Sequence, residues 1–214
     1  PMPPTTTTTK ASPMVSRSES GVLISGDCFS PFKTTNMEKN RLTPKKVSDS
    51  KTVMTELIMP NDTNPMGNLM GGYLMRWMDI ASAICAGKHC EAHVVTVAVD
   101  YISFQNPIHL GDVITLEASV TRAFNTSVEV YVEVFANDIK GQQPRRCNHA
   151  YFTFVAMDDQ KKNPISVPPV LPLAHEEQQL FEGAARRREL RLILSGRIKP
   201  KDAKEVRKFF ADLE

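Results

Sequence analysis

The chain predicts an α+β fold: a curved antiparallel sheet wrapped around one long buried helix, plus a C-terminal helix. Three features carry this expectation. The segment YLMRWMDIASAICAGKHC, residues 73–90, repeats apolar side chains at helical spacing and is apolar nearly all round, so it must be wrapped rather than laid on a surface. Four segments of alternating β-branched and aromatic residues follow it. The links between those segments are short, which favours antiparallel neighbours.

Residues 1–48 begin PMPPTTTTTK and stay rich in Ser, Thr, Pro and Lys without periodicity, so they are expected to form a disordered N-terminal extension. Met37 within it is the expected physiological start. The folded domain is assigned to residues 49–162. It opens with TVMTELIM, a strand placing Val53, Leu57 and Met59 on one side. PNDTNPMGN, residues 60–68, is dense in turn formers. Gly71 and Gly72 then lead into the buried helix, where Leu74, Trp77, Met78, Ala81, Ile84 and Cys85 recur at helical spacing.

The next strand should carry Val95, Val97, Val99 and Tyr101 on one side. The two after it carry Ile114, Leu116, Ala118 and Val120, then Val128, Val130, Val132 and Val134 opposite Glu129 and Glu133. CNHAYFTFVAM is the aromatic last strand. Residues 163–214 hold a proline-rich connector, PISVPPVLP, then a helix with acids first and arginines last and a second short charged helix. The order β-α-β-β-β-β leaves one sheet edge open and one helix flank bare, so pairing with a second copy is expected. This is the hotdog arrangement.

The 214 residues carry a net charge of only +2, which gives no global attraction to nucleic acid or membrane, and neither is expected as a partner. No apolar run approaches a bilayer span and no charged-then-apolar leader is visible. Four scattered cysteines, Cys28, Cys85, Cys90 and Cys147, make no secreted disulfide framework, and a reducing, cytoplasmic location is expected. Cys85, His89, Cys90 and His93 cluster near the helix end, but their spacing matches no standard zinc pattern, so no metal is assigned.

Asn68, Gly71, Gly72 and Asp79 are the residues singled out for chemistry. Glycines at the start of a helix let a ligand approach the backbone, and the free N–H groups there can hold an anion or a developing oxyanion. Asp79, two turns further along an apolar helix, is costly unless it has a partner or a task; the task would be activating water or attacking a carbonyl. Each feature alone is ordinary turn or surface chemistry. Their concentration on the one helix that must be buried is what points to a site.

GNLMGGYLMRWMDIASAICAGKHC resembles the signature of the hotdog acyl-CoA thioesterases, the group of bacterial short-chain and animal cytosolic (brain-type) acyl-CoA hydrolases. The resemblance extends through VTVAVDYISFQNPIHLGDVI to the arginine-rich helix, about residues 50–195. It implies hydrolysis of fatty acyl-CoA to fatty acid and CoA by a dimer-based homo-oligomer, often a hexamer, with sites at dimer interfaces. Asn68 would orient water or the carbonyl, the Gly72 N–H would contact the oxyanion and Asp79 would activate water.

No cofactor is implied, since CoA is part of the substrate. Its phosphates call for basic groups, and Lys88, Arg145 and Arg146 are the candidates within the domain. Arg186, Arg187, Arg188 and Arg191 read as a solvated helix face. Two other functions fit the same fold. One is a non-catalytic acyl-CoA sensor, disfavoured by Asp79 and by the absence of a helix-turn-helix pattern in residues 1–48. The other is a dehydratase or hydratase, disfavoured because the loop holds Asn68 where a catalytic His would stand.

Overall fold

A computed structural model describes residues 43–141 and 144–211. The expectations for residues 1–42, including the start at Met37, lie outside the described residues.

The elements are β1 (Lys45–Lys46), β2 (Thr52–Leu57), α1 (Gly71–Cys90), β3 (His93–Phe104), β4 (Asp112–Ala123), β5 (Ser127–Asp138), β6 (Arg145–Met157), β7 (Val170–Leu171), α2 (His175–Leu194) and α3 (Lys204–Ala211), with short 3₁₀ turns between. The main sheet is antiparallel, in the order β2-β4-β5-β6-β3. Its inner face packs on α1. Ile114, Leu116, Ala118 and Val120 from β4 and the four valines of β5 are essentially buried there, with Phe152 and Phe154 of β6 beside them. Each buried Ile, Leu, Val and Phe among these contributes about 1.5–3 kcal/mol relative to exposure. From the helix, Leu74, Trp77, Met78, Ala81 and Cys85 complete the core.

Two sequence expectations change here. Val95, Val97, Val99 and Tyr101 do not share a face, because β3 carries a bulge between Thr96 and Ala98. Val95 pairs with outward-facing Val155, whereas Val99 pairs with buried Phe152. A second irregularity between Asp100 and Ser103 contains Tyr101, whose backbone is left-handed at φ 52°. On β2, Val53, Leu57 and Met59 do share a side, but it is exposed; Met54 and Ile58 turn to the core.

Order also begins earlier than Thr52. Lys45 and Lys46 pair in parallel with Val170 and Leu171 of the proline-rich connector, and Val47 is buried. Lys45 Nζ reaches the last carbonyls of α1, 2.8 Å from His89 O and 3.2 Å from Lys88 O, and pairs with Glu91 at 2.7 Å. A cation placed on the orphan carbonyls of a helix C-terminus satisfies them and complements the dipole. Residues 43–48 are therefore part of the fold and not of the extension.

The expected solvated arginine face of α2 is instead a clamp on the outer face of the sheet. Arg187 binds Glu129 of β5, which is wholly buried, through Nη2 at 2.7 Å and Nε at 3.1 Å, and lies 3.9 Å from the Tyr151 ring centroid. Thr121 Oγ1 donates to the same carboxylate at 2.6 Å. Arg191 pairs with Asp100 and reaches Thr153 Oγ1 at 2.8 Å. The buried Glu129 carboxylate is tolerable because two side chains, Arg187 and Thr121, satisfy it.

Candidate active site

β2 ends in turns that carry the chain across the helix start. Asn64 organises this loop: its Oδ1 accepts the N–H of Met66 at 2.9 Å and of Asn68 at 3.2 Å. Its own N–H donates to Asn68 O at 2.8 Å. With the oxygen committed, the amide orientation is fixed and the NH₂ group is left as a donor without a partner among the described residues. Asn68 pairs with His109 as an isolated bridge, and its residue lines a cleft with Gly71, Leu74, Phe104, Pro107 and Asn148.

Helix α1 then begins with no side-chain cap. The N–H groups of Tyr73 and Leu74 bond to Met70 O at 3.0 and 3.2 Å, so those of Gly71 and Gly72 are the unsatisfied donors at the helix start among the described residues. A Cβ on Gly71 would touch the Phe104 ring at 3.4 Å, whereas at Gly72 nothing lies within 4 Å. Gly72 is thus an open backbone donor.

Two turns along the same face is Asp79, half-buried. Its Oδ1 accepts the Thr96 hydroxyl at 2.8 Å. The β-bulge of β3 starts at Thr96, so the irregularity sits where a side chain is aimed at this carboxylate. One oxygen of Asp79 is held by Thr96; Oδ2 remains available to take a proton.

The basic candidates divide. Arg145 pairs with Asp112 and reaches Pro107 O at 3.3 Å, beside the cleft. The backbone carbonyl of Arg146 accepts Asn106 Nδ2 at 2.7 Å, and its guanidinium pairs with Glu133 at 2.8 Å. Lys88 lies at the opposite end of α1, bonded to Thr52 Oγ1 at 3.2 Å. Sixteen residues of helix separate it from Gly72, roughly 24 Å, so it joins neither the cleft nor Gly72 within one copy.

Among the described residues, no group of three or more His, Cys, Asp and Glu side chains could hold a metal ion. His89 is buried with Nε2 2.9 Å from Pro168 O, and burial pushes its pKa down. Burial pushes the Cys85 thiol up to about 12, which makes it an inert core residue.

Residues 66–141 match the family model of the thioesterase superfamily. YkhA of Bacillus subtilis, an uncharacterized acyl-CoA thioester hydrolase, is 36% identical over 139 residues, which cover 65% of this chain and 80% of that protein. The chain belongs to this acyl-CoA hydrolase family. A hexameric acyl-CoA thioesterase of the family, solved in its apo form, superposes with a TM-score of 0.69 at 34% identity, covering 72% of this chain and 98% of that one. The acyl-CoA hydrolase of Staphylococcus aureus, solved with butyryl coenzyme A, coenzyme A and coenzyme A disulfide, gives 0.67 at 33% identity, covering 78% and 98%.

The same Staphylococcus aureus hydrolase has been solved with alanine in place of an asparagine, of an aspartate 15 positions later and of a threonine 17 positions after that. Asn64, Asp79 and Thr96 stand at that spacing here. The sequence singled out Asn68 and Asp79 but left Asn64 among the turn residues and Thr96 in a strand. The residue types gave no signal; the hydrogen bonds do.

Proposed function

We propose that the protein hydrolyses fatty acyl-CoA thioesters, with Asp79 as general base. The observation that carries this is the Thr96–Asp79 hydrogen bond, which fixes a carboxylate on the exposed face of a helix whose first turn presents free N–H groups. Thr96 holds Oδ1, and Oδ2 takes a proton from water as its oxygen attacks the carbonyl carbon. The Gly72 N–H stabilises the oxyanion, with Gly71 leaving room for the acyl group. When the C–S bond breaks, the proton on Asp79 passes to the CoA sulfur. Water and thioester become fatty acid and CoA, and no cofactor or metal enters.

One copy does not complete this site. Gly72 and Asp79 are seven residues apart, about 10 Å along the helix, too far to grip one carbonyl and its attacking water. Strand β3 is an edge of the sheet with Val95 half and Tyr101 71% exposed, and Met75 and Ile84 on α1 are exposed as well, an edge and apolar surface that a second copy would cover. The functional unit is a homodimer in which the loop and helix start of one subunit meet Asp79 of the other. Dimers assemble further, into the hexamer found in the apo relative.

Asn64 is the stronger donor to water or carbonyl, because its NH₂ is free; Asn68 lines the adjoining cleft and is the second candidate. Arg145 and Arg146 are the CoA phosphate contacts next to that cleft. The folded unit begins near Thr43, and residues 163–211 strap it from outside. Cys85 and Cys147, buried free thiols among the described residues, suit a reducing cytoplasm.

Mixing tests the shared site. Asp79→Ala and Asn64→Ala subunits, each inactive alone, should recover part of the turnover when co-refolded. No recovery with either Asn64→Ala or Asn68→Ala would mean that each subunit carries its own complete site.

A further inference from the structure

Asn148 carries a hydrogen-bonding group that the fold does not use. It stands on the inner face of β6, paired with Phe104 of β3 and Val134 of β5, and is 1% exposed. Its Nδ2 donates to Ser103 O at 2.9 Å, a carbonyl beside the second irregularity of β3. With the nitrogen committed the side chain is held, and Oδ1 accepts from no group among the described residues. The partnerless side-chain atoms sealed from solvent there are Ser82 Oγ, His89 Nδ1 and His149 Nδ1. Asn148 Oδ1 is not one of them. It opens into the cleft that Asn148 lines with Gly71 and Phe104. A buried acceptor without a donor is costly, so one held in place beside the helix start calls for a ligand that donates.

The lining of the cleft suits a chain of amides better than an alkyl chain. Gln105, Asn106 and Asn148 place amide groups on it, and Leu69, Phe104 and Ile108 supply apolar wall. The helix start borders it, where the Gly71 and Gly72 N–H groups are free among the described residues. Pro107 lines it too, and its carbonyl accepts Arg145 Nη2 at 3.3 Å. The N–H groups of Gln105 and Asn106 both donate to Cys147 O, at 3.0 and 3.3 Å, so β6 holds this wall in place and little ordering is needed when a ligand enters. Between a thioester at the helix start and phosphates at Arg145 runs the pantetheine arm of CoA, which carries two amides. The amide nearest the sulfur has its nitrogen four bonds from the reacting carbonyl carbon. An unsubstituted acyl chain has no donor at all.

We propose that Asn148 Oδ1 accepts the pantetheine N–H nearest the sulfur, so that Asn148 recognises the arm and sets the thioester at the helix start. This rests on acyl-CoA being the substrate. Asn148 binds the arm and does not touch the reacting atoms. Because its acceptor is fixed and shielded, a thioester whose arm lacks that N–H leaves it unpaired and is rejected.

The test pairs butyryl-CoA with the analogue in which oxygen replaces that one N–H, turning amide into ester. Thiol release gives kcat/KM for the full chain and for Asn148→Ala, and calorimetry gives the affinity of the corresponding unreactive butyl thioethers. The wild type should prefer the amide about tenfold or more, in kcat/KM and in affinity. Asn148→Ala should handle amide and ester alike, to within about twofold. The preference is a ratio within each protein, so a variant that is merely less stable keeps it. A wild type that treats the two alike overturns the proposal whatever the variant does, and so does an Asn148→Ala that retains the preference. Absence of turnover by both proteins, with the thioether ratios as stated, would remove the catalytic reading and leave this contact standing.

Discussion

Asp79→Asn is expected to lower kcat by roughly 100- to 10,000-fold, the range a positioned general base contributes. Asparagine keeps the volume and still accepts the Thr96 hydroxyl that Oδ1 accepts now. The loop, the helix start and the fold should be undisturbed, so acyl-CoA should bind with nearly unchanged affinity. The split between kcat and binding is the diagnostic, because a purely structural carboxylate would change stability first. Thr96→Val should act through Asp79. Losing a charge-assisted hydrogen bond costs about 1.5 kcal/mol or more, equivalent to at least about tenfold in rate if it is all expressed in the transition state. Single-turnover kinetics with a short acyl-CoA measure both. Wild-type kcat in Asp79→Asn would remove this residue from the mechanism.

The second large effect is on stability. Arg187→Ala leaves the Glu129 carboxylate wholly buried with Thr121 as its remaining partner. Removing one member of a buried pair costs about 3–5 kcal/mol, whereas replacing both by apolar groups of similar size is often close to neutral. Arg187→Met/Glu129→Leu should therefore be more stable than Arg187→Ala alone, a non-additivity that urea denaturation reads directly. Arg186 and Arg188 sit on the same helix but lie over the Phe209 and Phe124 rings, and Arg191 pairs with Asp100, which unlike Glu129 keeps access to solvent, so alanine at these three should cost less. Equal losses at all four positions would mean that α2 is held by general packing and not by the Glu129 pair.

The alternation of Ile114 to Val120 and of Val128 to Val134, and the all-round apolarity of Leu74 to Cys85, were enough to specify the sheet and the helix it wraps. Periodicity is a local property and survives reading one residue after another. What it missed is non-local. The bulge at Thr96 shifts β3 by one residue and reverses which valines face inward, and nothing in VVTVAVDY marks it. Lys45 belongs to the fold because it meets carbonyls 44 positions later. Arg187 looks like any exposed helix cation until Glu129 is seen beneath it. Within the site, Asp79 stood out as a carboxylate on an apolar helix. Asn64 and Thr96 did not, since an Asn in a turn and a Thr in a strand are commonplace; only the committed oxygen of one and the hydroxyl bond of the other distinguish them.

Release of free CoA thiol from a panel of acyl-CoAs, acetyl to palmitoyl, by the full chain and by Asp79→Asn tests the central claim most directly. Turnover of at least one chain length by the wild type, abolished in Asp79→Asn while acyl-CoA binding persists, is the predicted result. Binding across the whole panel without thiol release from either protein would contradict it.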